Sequence, residues 1–190
     1  MKKVRYLVVG LILIVLVVGY YYFLSTRNVT TVEEATELTE VDNCILRDLE
    51  SDYPKTPREV IKFYDRVMMC LYNEEYTDEQ FYELADKQRA LLDTELQEQN
   101  PITTFYDSLL LAITEFKADG GRIITATECA SNDVEYKEVQ GRECAYVTVG
   151  YFTEKTSGFN KSYQEYVLRK DEEDSSWKIV AFRVTENPES

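Results

Sequence analysis

The chain has no histidine. That removes Ser-His and Cys-His nucleophile systems, histidine-dependent metal sites and the commonest general base. The four cysteines, at positions 44, 70, 129 and 144, follow no metal-ligand spacing. Basic charge is also short, with 21 Lys and Arg against 35 Asp and Glu. Lys2, Lys3 and Arg5 lie at the extreme N-terminus and no acid precedes Glu33, so the rest of the chain carries a net charge of −17. Such a surface repels nucleic acid and anionic lipid, and no nucleic-acid partner is expected. It suits solubility and mutual repulsion on a crowded membrane, or less directly a basic partner. What is plentiful is aromatic, 15 Tyr and 8 Phe, a composition that builds a globular core.

One stretch stands apart. Residues 6–24, YLVVGLILIVLVVGYYYFL, hold no charge and no proline. As a helix they reach roughly 28 Å, close to the thickness of a bilayer core. Tyr20, Tyr21 and Tyr22 suit one membrane interface, and Lys2, Lys3 and Arg5 at the other end keep the N-terminus in the cytoplasm. A cleaved signal peptide would have a shorter apolar run and a small-residue cleavage site. Here Leu24-Ser25-Thr26-Arg27 follows bulky aromatics instead. The expected layout is a cytoplasmic N-terminus (1–5), a transmembrane anchor (6–24), an acidic linker with a docking segment at Cys44–Leu46 (25–51), and an extracytoplasmic domain (52–190).

The first part of that domain reads as helix. Thr56-Pro57-Arg58-Glu59 and Thr77-Asp78-Glu79-Gln80 are both capping boxes. The first opens a helix to about Asn73, with Val60, Tyr64, Val67, Met68 and Leu71 as its stripe. The second opens a helix that breaks near Lys87 and continues to Glu98. Asn100-Pro101 caps a third, ended by Asp119-Gly120-Gly121.

From Arg122 the period changes to two. Ile123–Ala130 and Val134–Val139 are β-rich and read as one strand with a bulge or bend at Ser131-Asn132-Asp133, and Gln140-Gly141 is a turn. In Glu143–Thr153, Ala145, Val147, Val149 and Tyr151 share a face; Cys144, Tyr146, Thr148 and Phe152 share the other. After a turn at Ser157–Asn160 come strands Ser162–Arg169 and Trp177–Thr185. In the last, Trp177, Ile179 and Ala181 point one way and Val180, Phe182 and Val184 the other. Both faces are apolar, so a cover is expected on the second: the Cys44–Leu46 segment, a second copy of the chain or another protein. The fold class is α+β: about three helices packed on a curved four-stranded antiparallel sheet.

Two stretches carry a resemblance: Asp52-Tyr53-Pro54-Lys55-Thr56-Pro57-Arg58-Glu59-Val60 with Cys70–Tyr76, and Tyr166–Asp171 with Trp177-Lys178-Ile179. They resemble a family of uncharacterised, membrane-anchored proteins of Gram-positive clostridia. The order of helices followed by a meander resembles the nuclear-transport-factor-2-like (cystatin-like) fold, a sheet wrapped around helices into a cone. The family implies no activity, and the fold hosts isomerases, dehydratases, carriers and interaction modules alike. Enzymes of that fold often pair an Asp or His base with a Tyr in the cone, which here points to Tyr64, Asp65, Tyr106, Tyr146 and Tyr166 as pocket residues. The same residues also read as solvated helix and core or rim aromatics. No catalytic residue, metal or cofactor is expected. Four thiols outside the cytoplasm permit disulfides: a tight Gln140-Gly141 turn sets 144 opposite 137 and disfavours a Cys129–Cys144 bridge, while Cys44–Cys70 would pin the docking segment to the first helix. Four buried free thiols are the alternative. The functional expectation is a non-enzymatic interaction or accessory module of the cell envelope, meeting a protein partner or a second copy through the outer sheet face. The alternative is a small-ligand-binding or isomerase-type domain using the cone interior.

Overall fold

The computed structural model describes residues 38–186; the expected anchor at 6–24 lies outside them. A compact unit begins at Thr39. Five helices occupy its first half: α1 (Glu40–Leu46), α2 (Pro57–Asn73), α3 (Asp78–Ala90), α4 (Thr94–Gln99) and α5 (Ile102–Ala118). Five strands follow: β1 (Arg122–Glu128), β2 (Glu135–Val139), β3 (Arg142–Lys155), β4 (Gly158–Lys170) and β5 (Trp177–Thr185). No helix among the described residues is long and apolar enough to cross a membrane.

Three helices start on reciprocal caps. Thr39 with Asp42, Thr56 with Glu59, and Thr77 with Gln80 each satisfy two backbone donors that the first turn would otherwise leave open. Pro57 occupies the first turn of α2, where its missing N–H costs nothing. The α3 helix breaks at Leu91–Asp93 rather than near Lys87, because the edge of β5 captures the chain there. Leu92 pairs in parallel with Ile179; Asp93 N–H donates to the Ile179 carbonyl and Ile179 N–H to the Leu91 carbonyl. Asn100-Pro101 does not cap α5 as expected. Pro101 stands at the cap position without a side-chain bond, and the Asn100 amide donates backwards to the Leu96 carbonyl of α4.

The sheet is antiparallel, in the order β1-β3-β4-β5, with β2 also on β3. The single strand expected over 123–139 is two, because the 3₁₀ turn Ser131–Asp133 parts them. They lie along successive halves of one long partner: β1 pairs with the second half of β3 and β2 with the first. Gln140 and Gly141 both have positive φ, 53° and 79°, the geometry of a two-residue hairpin turn. The β3–β4 turn is Thr156-Ser157, not Ser157–Asn160. Lys155 pairs directly with Gly158, and Gly158, Phe159 and Asn160 belong to β4.

Register sorts the side chains. Ala145, Val147 and Val149 on β3, Leu168 on β4 and Ile179 on β5 have no exposure and face α2. With Val60, Ile61, Val67 and Leu71 of α2 they fill the space between the helix and the inner face of the sheet. The expected facing of β5 fails beyond Ile179. Leu168 pairs with Ile179 but Val167 pairs with Ala181, so Val180 is bulged out of register. Phe182 thereby joins the inner row beside Tyr166, and Ala181 turns to the outer row.

The docking segment does not cover the outer face. Its helix α1 packs on α2 and α3, burying Val41 and Cys44 there. What reaches the outer row is the α3–α4 connection: Asp93 and Glu95 hold the Arg169 guanidinium at 2.6 and 3.1 Å.

Candidate functional site

Alternation on β3 and β4 brings Tyr151 and Tyr166 onto the inner face, and the buried stripe of α2 lowers Asp65 onto them. The Asp65 carboxyl is 2% exposed. Its Oδ1 lies 2.5 Å from the Tyr151 hydroxyl, which lies 2.7 Å from the Tyr166 hydroxyl, which donates to Gln164 Oε1 at 2.9 Å. Tyr64 packs edge-on against Tyr166, with centroids 5.7 Å apart.

This chain of three hydrogen bonds needs three protons. Tyr151 donates to Asp65 and Tyr166 to Gln164, which uses both phenol protons; the Tyr151–Tyr166 contact gains one when Asp65 is the acid and Tyr151 donates to Tyr166 instead. Burial pushes the Asp65 carboxyl up to about 7; the hydrogen bond from Tyr151 opposes that rise and the charge of Glu128 adds to it. Near neutral pH, Asp65 therefore sits at the balance between acid and carboxylate. Burial also raises Tyr64, Tyr151 and Tyr166 far above the ordinary phenol value, and the tyrosines stay protonated.

Asp65 Oδ2 is buried without a hydrogen-bond partner. Asp65 lines a cleft of about 260 Å³ between α1, α2 and β1, together with Lys62, Arg66, Met69, Ala126 and Glu128. The arginines near this cleft are engaged elsewhere: Arg66 with Glu40, and Arg58 with the Cys129 carbonyl and, at 3.6 Å, Glu128. Larger hollows of about 630 and 450 Å³ lie at the end of α5 and along the Arg47–Arg66 groove; Asp65 lines neither. Among the described residues no cluster of carboxylates and thiols is placed to hold a metal ion.

Of the five pocket residues expected from resemblance, Tyr64, Asp65 and Tyr166 meet. Tyr106 does not: it stands on α5, where its hydroxyl donates to Asp86 at 2.5 Å and its ring packs on Tyr82. Burial, with Asp86 beside it, pushes this phenol up to about 12. Tyr146 is on the outer row of β3, under the Lys137 ammonium. Tyr151 and Gln164 were missed. Tyr151 shares the inner row with Val147 and Val149, so alternation alone could have nominated it.

The thiols divide the same way. Cys44 and Cys70 are buried with their sulfurs 3.7 Å apart, and all four cysteines are free. Lys137 is the residue opposite Cys144.

The outer face has a different chemistry. Phe152 and Phe159 stack at 5.4 Å and are 37% and 65% exposed. Tyr163 lies across from Gly150, its ring over the bare backbone. Lys137 pairs with Glu135 and Arg183 with Glu165, so both signs of charge are interleaved.

Among the described residues, five helices against an antiparallel five-stranded sheet make an α+β fold whose inner layer is filled under α2 and whose outer face is polar-aromatic. The chain belongs to the family described as a domain of unknown function, DUF6715, whose profile matches residues 1–182. No curated protein and no solved structure matches it.

Proposed function

We propose that this chain is a membrane-anchored, extracytoplasmic accessory protein of the clostridial cell envelope, a non-enzymatic module that meets a protein partner through its outer sheet face. Residues 6–24 span the membrane, with residues 1–5 in the cytoplasm. The domain beyond them is a nuclear-transport-factor-2-like cone. Support for the anchor is its length, its lack of charge and the basic residues before it. Support for the cone is the order of helices followed by the antiparallel sheet.

The observation that carries the interaction reading is the exposed Phe152–Phe159 stack on a face of balanced charge. Elsewhere the domain's acidity repels a second copy and other acidic proteins, so approach is least costly here. The partner is a protein with an apolar patch and mixed charge at its rim. The test places a photo-crosslinking amino acid at Phe159 in the full chain, in living cells. A discrete product is expected at a mass other than that of two copies, and Phe152→Glu should abolish it. A product at twice the chain mass would mean a homodimer. Equal labelling from a control position at Glu83 on α3 would remove the reading.

A second reading is favoured by the unpartnered Oδ2 of Asp65: a small-ligand site in the adjoining cleft, for a ligand that offers a hydrogen-bond donor. Titration of the full chain in detergent with short primary alkylammonium ions, followed by tyrosine fluorescence, tests it. Saturation that Asp65→Asn abolishes is expected; an unsaturable response equal in both proteins would sink it.

A further inference from the structure

We propose that Cys44 and Cys70 form a disulfide in the mature protein, a covalent cross-link that joins α1 to α2. The two sulfurs are already neighbours at 3.7 Å, 26 positions apart in sequence, and each side chain is 1% exposed or less. Closure to a bond length of about 2.05 Å asks for a movement of less than about 2 Å. Both thiols sit where helices meet face to face, and α1 is a seven-residue helix held by few buried side chains, Val41 and Cys44. A small rotation of α1 is therefore the motion that brings the sulfurs together.

The other two thiols are an internal control. Neither Cys129 nor Cys144 has a thiol neighbour among the described residues. A random oxidant would favour the more exposed Cys129; geometry selects the buried pair.

The chemistry balances with one co-reactant, a disulfide-bearing oxidant such as an extracytoplasmic thiol oxidoreductase or an oxidised low-molecular-weight thiol. Cys44 is the attacking sulfur. The hydrogen bond it accepts from Cys70 holds it below the usual thiol range, aided by Arg66, and it lies on the helix that can lift. Its thiolate attacks one sulfur of the oxidant, breaks that S–S bond and releases the first thiolate, which takes up a proton. Cys70 then loses its proton to solvent and attacks Cys44 in the mixed disulfide. The second thiolate of the oxidant leaves and is protonated in turn. The protein loses two electrons and two protons, and the oxidant gains them.

The consequence is local. α1 is the first described element, and it leads back to the segment that joins the domain to its anchor. Without the bond it is held to the domain by the Glu40–Arg66 ion pair, a hydrogen bond from the Gln80 amide to Asp42 and the buried side chains of Val41 and Cys44. With the bond it cannot leave α2 while the fold persists.

The proposal rests on the extracytoplasmic placement of the domain, where such oxidants act. Two arms separate the two claims. In the first, cells are quenched with acid, the protein is denatured and alkylated with iodoacetamide so that buried thiols react, and the full chain is digested without reduction for mass spectrometry. A linked Cys44–Cys70 peptide pair is expected, with Cys129 alkylated; both Cys44 and Cys70 alkylated would overturn the cross-link in the cell. In the second, reduced full-length protein in detergent is incubated with oxidised glutathione. The same pair should form selectively, and reduction should lower the thermal midpoint by on the order of 10 °C. Cys44→Ser should abolish that dependence and Cys129→Ser should keep it. A failure of the second arm overturns the geometry itself. A failure of the first arm alone faults the placement.

Discussion

Val167 and Leu168 are neighbours on β4, and their side chains meet different worlds. Leu168 is fully buried against α2, while Val167 shares a half-buried outer row with Tyr163 and Glu165. The same division runs across the sheet. Under α2 the inner row of Ala145, Val147, Val149, Leu168 and Ile179 has no exposure, although Phe182 and Val184 at its far end are exposed; the outer row keeps Phe152 and Phe159 open. Both rows are rich in large apolar groups, so composition alone does not distinguish them. Packing does. A side chain that closes a gap against α2 cannot change without leaving a cavity, whereas one that stacks on another exposed ring can. The covered part of the inner face thus specifies the fold, and the exposed rings of the outer face are free to change.

The sharpest break in that comparison comes from truncation of the inner row. Leu168→Ala should cost about 2–5 kcal/mol, by lost transfer energy and residual cavity. Denaturant unfolding of the full chain in detergent would measure it, and a loss below about 1 kcal/mol would mean the inner layer is not the close-packed core described.

The polar end of the inner face gives the next effect. Asp65 has a folded pKa of about 7, above its ordinary value of 3.8. The folded state therefore binds the proton more tightly than the unfolded chain. Its stabilising contribution is full below about pH 4 and is lost as pH rises through 7. That loss should be on the order of 3 kcal/mol between pH 4 and pH 8, and Asp65→Asn should remove most of this slope while keeping a neutral polar group against Tyr151. Chemical denaturation at several pH values, wild type beside variant, reads it directly; parallel profiles would contradict a buried, titrating Asp65.

A smaller effect belongs to the helices that cover this face. Thr56→Ala removes the capping box of α2, whose side-chain bond to the Glu59 N–H is 3.2 Å. It should cost about 1 kcal/mol. Thr77→Ala on α3 serves as the matched variant, and a null result for both would place the stability of these helices wholly in their packing.

The limits of sequence reading follow from the same contrast. Caps are local, so Thr56–Glu59 and Thr77–Gln80 were legible, as was the Gln140-Gly141 turn. The box at Thr39–Asp42 was equally local, yet it sat in an acidic stretch that reads as spacer, and α1 was seen only as an apolar patch. The split of β1 from β2 and the true β3–β4 turn depend on which residues pair across strands. No single segment carries that information. The bulge at Val180 is the clearest case. One extra residue reverses Phe182 and Ala181, and a strict period of two has no means of predicting it. At the candidate site, Asp65, Tyr64 and Tyr166 came from resemblance. Their hydrogen-bond chain through Tyr151 to Gln164 depends on three elements meeting, as does the approach of Cys44 to Cys70 across 26 positions. The proposed anchor at 6–24 lies outside the described residues, and its support is sequence pattern.

The most direct test of the account compares the full chain with a Phe152→Ser, Phe159→Ser double variant in living cells, both carrying the photo-crosslinking amino acid at Lys161, the residue opposite Phe152. The account predicts a stability within about 1 kcal/mol of wild type, because both rings are partly or largely exposed in the fold, together with loss of the crosslinked partner. A variant destabilised as deeply as Leu168→Ala, or one that still captures the same partner, would contradict it.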